Sequence, residues 1–321
     1  MRRRLPVPLV LAGLALLAAG GAAAANGGFT PPTPHSPGAH RITDVYYVIL
    51  GVTGAIFVLV ETALLLFVFR FRSRGRARSV EGPQIRGHAR LELAWTVVPV
   101  VILAAIAAFV FYKLPGIKNT PPASAAEQRL NVRIDAHQFY WQFTYPNGAV
   151  SIDRMVVPYG SVVALDVHSE DVAHSWWIPA LGGKIDAIPG RTNHTWFRAS
   201  QVGTFRGQCA EFCGIQHAAM LADVTVVPVS TYARTVATLQ KGTPETLGAQ
   251  EFVGVCAKCH GGNAQGDIGP PLVGNALLSN PTGLTSIIVS GRGRMPAVGK
   301  GWSSEQLRVL IAYLRRHYGG G

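Results

Sequence analysis

The chain has 321 residues, of which 48% are hydrophobic, and its formal net charge at pH 7 is +12. This length allows soluble domains besides membrane segments, and the positive mean hydropathy favours a membrane protein. A basic charge also fits nucleic-acid binding, but the arginines between residues 72 and 90 have no aromatic residues among them to stack on bases. We therefore expect no nucleic-acid partner.

The N-terminal residues are typical of a secretory signal. Residues 1–25 contain three arginines, a short apolar run and small residues before Asn26, so we predict a signal peptide. An uncleaved first span is the alternative, although the apolar run is short for a bilayer that needs about 20 residues. Residues 26–41 are rich in Gly, Pro and Thr and are predicted to form a linker.

Residues 42–116 are predicted to form a transmembrane helical hairpin. The apolar runs 45–71 and 93–112 are each long enough to cross a bilayer. The arginine-rich loop 72–91 should stay cytoplasmic under the positive-inside rule. Both ends of the hairpin, and the soluble remainder of the chain, are then expected outside the cytoplasm.

Two carboxylates belong to this hairpin. Glu61 lies within the first apolar run and Glu92 at the cytoplasmic start of the second. Ionisable groups at such depth are costly, which makes both functional candidates. Burial against a neighbouring subunit is the preferred alternative for Glu61, and an interfacial position with its head group in water is the alternative for Glu92.

The soluble part divides into a β region and a helical region. Residues 117–230 contain segments with the two-residue period of half-buried strands, which predicts an all-β sandwich or barrel. Residues 231–246 are expected to form a linker, and residues 247–321 a helical domain. Its last helix should begin at a capping box made by Ser303 and Gln306.

The loop from Cys209 to Met220 carries a copper-like set of ligands. Cys209, Cys213, His217 and Met220 supply sulfur and nitrogen at short spacing, and the second thiolate allows two sulfurs to bridge two metal ions. A further histidine must come from elsewhere. His174 is the best candidate, since Asp171 could orient its ring. The competing histidines are His137, His168 and His194.

Two other interpretations of this cysteine pair stay open. A tetrahedral zinc site with His174 and His217 is chemically reasonable, but it leaves Met220 without a role. A disulfide in an oxidising compartment is the other alternative.

The second cysteine pair belongs to CAKCH, the signature of covalent haem c attachment. Cys256 and Cys259 would bind the haem and His260 would ligate its iron, with Met295 in a Gly-rich loop as the sixth ligand. A thioredoxin-like redox pair is the alternative, but no βαβ pattern surrounds the motif. With both pairs assigned, no cysteine remains for a further structural disulfide.

These motifs together resemble subunit II of the haem-copper cytochrome c oxidases, in the bacterial form with a fused C-terminal cytochrome c domain. Three stretches carry the resemblance: EDVAHSWWIPALGGKIDAIPGR from Glu170, GQCAEFCGIQHAAM from Gly207 and ELAWTVVP from Glu92. The resemblance implies a hairpin anchor, a cupredoxin-like β domain, an all-α class I-like cytochrome c domain and a dinuclear copper centre. The implied copper ligands are His174, Cys209, the backbone oxygen of Glu211, Cys213, His217 and Met220.

The resemblance also implies roles beyond the two cofactors. The Glu211 side chain would hold a Mg²⁺ shared with subunit I, and Glu92 would stand at the entrance of a proton pathway. This chain has Phe139 where the family has a tryptophan that receives electrons, with Trp141 in the same segment. A tethered cytochrome domain would replace direct docking of a soluble cytochrome c, since a short linker gives an effective concentration in the mM range.

The function expected from the resemblance is electron transfer to an oxidase. Electrons from a cytochrome c or a quinol-cytochrome c reductase would pass through haem c and copper to subunit I, where O2 is reduced to water. Partners would be subunit I, subunit III and lipid, in a bacterial inner membrane with the soluble domains in the periplasm. The alternatives are a free-standing membrane-anchored electron carrier for another terminal reductase, and a copper storage or sensing protein.

Overall fold

The computed structural model describes residues 30–71, 84, 87–122 and 129–319. The predicted signal peptide, and most of the loop predicted to be cytoplasmic, lie outside the described residues. The chain divides into two compact units, residues 41–117 and the remainder.

Two long apolar helices make up most of the smaller unit. Helix α1 spans Pro37–Phe71 and helix α2 spans Ala89–Lys113, followed by the short α3 at Pro115–Lys118. Both long helices are long and apolar enough, by length and composition, to cross a membrane. Their large apolar side chains are mostly exposed, as lipid-facing surfaces are. The two predicted spans are therefore present as helices.

The larger unit contains a β-sandwich, which we call the sandwich domain. One sheet has the strand order β3-β2-β1-β5-β8 and the other β4-β10-β9-β6-β7. The strands are β1 Arg129–His137, β2 Tyr140–Thr144, β3 Val150–Ile152, β4 Arg154–Pro158, β5 Val162–Ser169, β6 His174–Trp177, β7 Ile185–Ala187, β8 Asn193–Arg198, β9 Gly203–Cys209 and β10 Leu221–Val227.

Alternating burial explains how the two sheets pack. In β10, Ala222, Val224 and Val226 are buried while the residues between them are more exposed, the pattern of a strand with one face on the core. Large side chains such as Trp141 and Phe143 fill the space between the sheets. The β-sandwich prediction is confirmed.

Most of the predicted linker 231–246 is helical. Helix α4 spans Val229–Gln240. Val236 is buried in the sandwich core, and Tyr232 and Leu239 pack against the same core. These residues recur at helical spacing. The many Ser, Thr and Ala residues of this segment hid that apolar stripe.

The C-terminal part, which we call the helical domain, begins with a continuous series of helical turns. We name this series, residues 244–260, the motif helix; it comprises Pro244–Gly248, Ala249–Glu251, Phe252–Cys256 and Ala257–His260. Helices α5, Pro281–Ser290, and α6, Ser304–Tyr318, follow. The predicted capping box of Ser303 and Gln306 is present at the start of α6.

Candidate copper and haem sites

The copper loop is the connection between β9 and β10. Cys209 is the last residue of β9, and Met220 directly precedes β10. The Cys209 N–H donates to the Met220 carbonyl at 2.9 Å, which closes the base of the loop. Within it, His217 begins a short 3₁₀ turn, His217–Ala219. The hairpin geometry thus returns the loop's four candidate side chains to one end of the sandwich.

His174 reaches this loop from the neighbouring strand. It is the first residue of β6, and Trp176 of β6 is paired with Cys209 of β9. The His174 Nδ1 atom lies 3.8 Å from the Cys209 sulfur. The ligand atoms of His174, Cys209 and Cys213 all lie within 4.8 Å of one another.

The remaining candidate ligands adjoin the two thiols. The Glu211 carbonyl oxygen is 3.1 Å from the Cys209 sulfur. The Cys213 sulfur is 3.5 Å from His217 Nδ1 and 3.8 Å from Met220 Sδ. His174 and Met220 are fully buried, and both cysteines nearly so. The structure therefore brings together all the groups that the family resemblance names as copper ligands.

Asp171 fixes the orientation of the His174 ring. The His174 Nε2–H donates to Asp171 Oδ1 at 2.8 Å, so Nδ1 is the nitrogen that faces the thiols. Asp171 is itself held by the Gln138 N–H, which donates to Oδ2 at 2.6 Å. Burial is the largest single influence and opposes the charged imidazole, but the hydrogen bonds and charges of Asp171 and Cys209 together outweigh it and raise the pKa of His174. This carboxylate–histidine arrangement is common beside metal ligands.

A hydrogen bond between the two thiols makes one of them more acidic and the other less acidic. The hydrogen bond from Cys213 lowers the pKa of Cys209 to about 3, while the same interaction raises the pKa of Cys213. One thiolate therefore forms readily, and a second beside it needs a cation to offset the repulsion. A soft cation bound between the sulfurs would supply that charge, so the donor set fits copper.

The competing histidines have other partners. His137 stacks on Tyr140 at a ring-centroid distance of 4.6 Å, and burial lowers its pKa to about 4. His168 Nδ1 lies 3.3 Å from the Arg191 carbonyl. His194 lies 2.7 Å from Asp166 at the surface. Among the described residues, His174 is the histidine grouped with both cysteines.

Phe139 and Trp141 lie beside different residues of the copper site. The Trp141 indole packs edge-on against His174, at a centroid distance of 6.0 Å, and is fully buried. The Phe139 ring faces Gly214, where an added Cβ would come within 3.0 Å of the ring. Gly214 also has a φ of 133°, so glycine is required there for two reasons.

The haem-attachment residues end the motif helix. Cys256, Cys259 and His260 lie on consecutive turns, and Gly261, with a φ of 83°, ends the helix. The His260 Nδ1–H donates to the Pro270 carbonyl at 2.7 Å, which leaves Nε2 for the haem iron. Met295 lies in the loop between α5 and α6 and packs on the same apolar cluster as Cys256. These residues fit a covalently bound haem.

The three carboxylates singled out by sequence have different surroundings. Glu92 lies in the first turn of α2, where its Oε1 accepts the His88 N–H at 3.1 Å and helps to cap the helix. Glu61 lies inside α1, and the Glu211 side chain is exposed.

Sequence reasoning missed Lys258, Asp153 and Gln216, which connect the sandwich and helical domains, because no spacing pattern marks them.

Known family models match three parts of the chain. Three family models match: the transmembrane domain of cytochrome c oxidase subunit II at residues 24–112, its periplasmic domain at 149–227, and the cbb3-type subunit III of cytochrome c oxidase at 244–314. The last of these models covers the CAKCH motif.

Curated relatives are similar over most of the chain. Cytochrome c oxidase subunit 2 of Alkalihalophilus pseudofirmus is 33% identical, covering 72% of this chain and 74% of the relative. The same subunit of Cereibacter sphaeroides is 34% identical, covering 68% and 82%. The crystal structure of the periplasmic domain of subunit II of Bradyrhizobium japonicum cytochrome oxidase is 36% identical over 38% of this chain and 97% of that one, with a TM-score of 0.36.

Fold and sites define a membrane protein with a periplasmic cupredoxin-like domain and a fused cytochrome c domain. The chain belongs to the cytochrome c oxidase subunit II family. Copper and haem binding follow from that membership, and the predicted fold class is confirmed.

Proposed function

We propose that this chain is the subunit through which electrons enter a terminal oxidase. Electrons from an external donor reach the helical domain, pass to the copper loop of the sandwich domain, and leave for subunit I, where O2 is reduced to water. The observation that carries the proposal is the direct contact between the two sites. The Gln216 side-chain N–H, one residue before His217, donates to the Lys258 carbonyl inside CAKCH at 2.8 Å.

Six groups are proposed to hold a dinuclear copper centre. Cys209 and Cys213 would hold the two ions as thiolates, together with four further ligands: His174, the Glu211 backbone oxygen, His217 and Met220. A bound dinuclear copper centre supplies one-electron transfer. Met220 is buried, and its sulfur lies 3.8 Å from the Cys213 sulfur. Because a thioether is a soft ligand, this position favours copper over zinc.

The helical domain is proposed to hold one haem c. Cys256 and Cys259 would attach it covalently, and His260 and Met295 would ligate the iron. Ligation by histidine and methionine would raise the reduction potential of the haem, as suits an electron carrier. The buried Trp141 and the neighbouring Phe139 are proposed to lie along the electron path on the sandwich side.

The partners and location follow the same proposal. Subunits I and III, a cytochrome c or a quinol-cytochrome c reductase as donor, and membrane lipid are the partners. The membrane is the bacterial inner membrane, with loop 72–91 in the cytoplasm. Glu92 takes part in proton uptake, and the exposed Glu211 carboxylate holds a Mg²⁺ at the boundary with subunit I.

The limits of the segments are proposed as predicted from the sequence. They are a signal peptide at 1–25, a linker at 26–41, the transmembrane hairpin at 42–116, the copper-binding β domain at 117–230, a second linker at 231–246 and the cytochrome c domain at 247–321. The second of the two linkers contains most of α4.

A spectrum of the purified membrane complex tests this function. We expect a low-spin c-type haem, a mixed-valence copper signal and co-purification with a large haem-bearing subunit. Zinc at the cysteine loop would overturn the copper assignment. Co-purification with a different reductase would instead support the free-standing carrier, in which Glu92 and Glu211 have no partners in subunit I.

A further inference from the structure

Lys258 occupies a position that haem attachment does not specify. It is the second of the two residues between Cys256 and Cys259. Its ammonium group leaves the helical domain and enters the sandwich domain. There it donates to the Phe139 carbonyl at 2.8 Å and to Asp153 Oδ2 at 2.5 Å. The Lys258 side chain is only 14% exposed, so this ion pair is shielded from water.

Asp153 is a rigid anchor for this lysine. Its Oδ1 accepts the Trp141 N–H at 2.8 Å. Its backbone N–H donates to the Trp141 carbonyl, and its carbonyl accepts the Asp223 N–H, at 2.8 Å each. Its φ of 55° is uncommon for a residue with a side chain, although aspartate tolerates it better than most. Burial raises the pKa of Asp153 to about 6, and the Lys258 ammonium opposes that rise.

The other end of Lys258 is held by the copper loop. Its carbonyl accepts the Gln216 side-chain N–H at 2.8 Å. The segment that supplies the Phe139 carbonyl also reaches the loop, since the Gln138 side chain donates to the Cys213 carbonyl at 2.5 Å. One residue of CAKCH therefore contacts the copper loop and the segment that is hydrogen-bonded to that loop.

Packing beside Lys258 leaves little freedom for the motif helix. A Cβ on Gly254 would lie 2.6 Å from the Ile152 side chain. Ile152 and Tyr140 of the sandwich domain are part of the apolar cluster of the helical domain. The Tyr140 hydroxyl also donates to the Val298 carbonyl at 2.5 Å and accepts from the Trp302 indole at 2.8 Å. The two domains thus share one buried boundary.

We propose that Lys258 is a positioning residue that fixes the haem-attachment motif against the copper loop, through its ion pair with Asp153 and its contacts with Phe139 and Gln216. This inference rests on the proposed function and adds the residues that set the geometry between the two sites. The linker raises the local concentration of the helical domain but does not orient it. The Lys258 contacts would supply that orientation.

The test uses full-length chain loaded with haem and copper, with Lys258→Met as the variant. Methionine keeps the length and apolar stem of lysine but removes its charge. We expect amide hydrogen exchange to become about tenfold faster or more in residues 138–141 and 215–217, because the opening of the boundary becomes less costly. Haem-to-copper electron transfer after flash reduction should slow by about tenfold or more, since small displacements of reacting groups have large effects on rate.

Lys300→Met is the matched control. Lys300 also crosses the boundary, where its ammonium donates to the Glu170 carbonyl at 2.8 Å, but it has no contact with the copper loop among its hydrogen bonds. We expect exchange in the two segments and the transfer rate to stay at wild-type values. Lys258→Arg should restore part of both. The haem and copper spectra should match the wild type in every variant.

Asp153→Asn serves as a second variant if Lys258→Met does not fold. It removes the ion pair and keeps an oxygen for the Trp141 N–H, so it should show the same changes. Wild-type exchange and transfer rates in both variants would overturn the role of Lys258. An absence of haem-to-copper transfer in the wild type would instead overturn the proposed function.

Discussion

The copper site and the haem-attachment motif each begin from two cysteines, but they are built over different lengths of chain. Cys256, Cys259 and His260 lie within five consecutive residues of one helix. The copper ligands combine a hairpin loop with His174, which is 35 residues from Cys209. The haem motif therefore needs only one correct helix, whereas the copper site needs the β6–β9 pairing of a folded sandwich.

The thiols of the two sites also differ in their electrostatics. Hydrogen bonding from Cys213 lowers the pKa of Cys209 to about 3. Burial raises the pKa of Cys256 to about 12. A copper ligand must be a charged thiolate, while a cysteine joined to haem ends as a neutral thioether. The environments thus favour a thiolate at Cys209 and a neutral sulfur at Cys256, while Cys213 needs a bound cation to lose its proton.

Replacing the thiols of one site should remove its cofactor without affecting the cofactor of the other site. We expect Cys213→Ser to abolish the mixed-valence copper signal, because the bridging sulfur is lost, while covalent haem is kept. The double variant Cys256→Ala/Cys259→Ala should do the reverse. Copper and haem contents of the purified full chain measure both effects. Loss of copper in the double variant would mean that the sites do not assemble independently.

Asp171→Asn should weaken copper binding without abolishing it. Asparagine removes the charge that holds the His174 ring, and changes of this kind cost about 10–100-fold in metal affinity. Copper competition with a chelator measures the affinity. Asp166→Asn is the control, since Asp166 pairs with the exposed His194. Equal affinities in the two variants would contradict the orienting role of Asp171.

Glu92→Gln should slow oxidase turnover several-fold and leave the copper spectrum unchanged. The substitution removes a group that can carry a proton, while the amide oxygen can still accept the His88 N–H at the start of α2. Oxygen consumption by the purified complex, with visible spectra in parallel, measures both. Unchanged turnover would rule out proton uptake at Glu92 and leave helix capping as its role.

Glu251→Gln should alter stability rather than electron transfer. Glu251 is fully buried in the motif helix, and neither of its side-chain oxygens makes a hydrogen bond of ordinary geometry among the described residues, although the Gln306 side chain partly stabilises the carboxylate. Burial raises its pKa to about 9. Because the unfolded chain ionises this group first, wild-type stability should fall as pH rises from about 5 to about 9, by about 1.4 kcal/mol per pH unit at most.

Denaturation of the haem-loaded chain at several pH values tests this sign. The Glu251→Gln variant should show a flatter dependence on pH. Glu305→Gln is the control, because Glu305 is exposed and pairs with Arg308. If wild type and Glu251→Gln instead show the same dependence of stability on pH over this range, Glu251 is ionised when folded.

Much of this architecture could be predicted from the sequence because the determining patterns are local. The two spanning helices follow from long apolar runs, and the start of α6 from the Ser303 and Gln306 capping box. The cysteines, His217 and Met220 lie in one short loop, so their spacing alone indicated a soft-metal site. His174 was favoured because Asp171 lies close to it in sequence, and the family resemblance then agreed with that choice and supplied the Glu211 carbonyl.

Only the tertiary structure decided the contacts that join distant segments. Helix α4 was missed because its apolar stripe gains meaning only when the sandwich core covers it. The Lys258–Asp153 pair joins residues 105 positions apart, and the hydrogen bond from Gln216 to Lys258 spans 42. Periodicity reports which face of an element is buried, but not which other element covers it. The geometry between the copper loop and the haem-attachment motif is therefore a property of the folded chain.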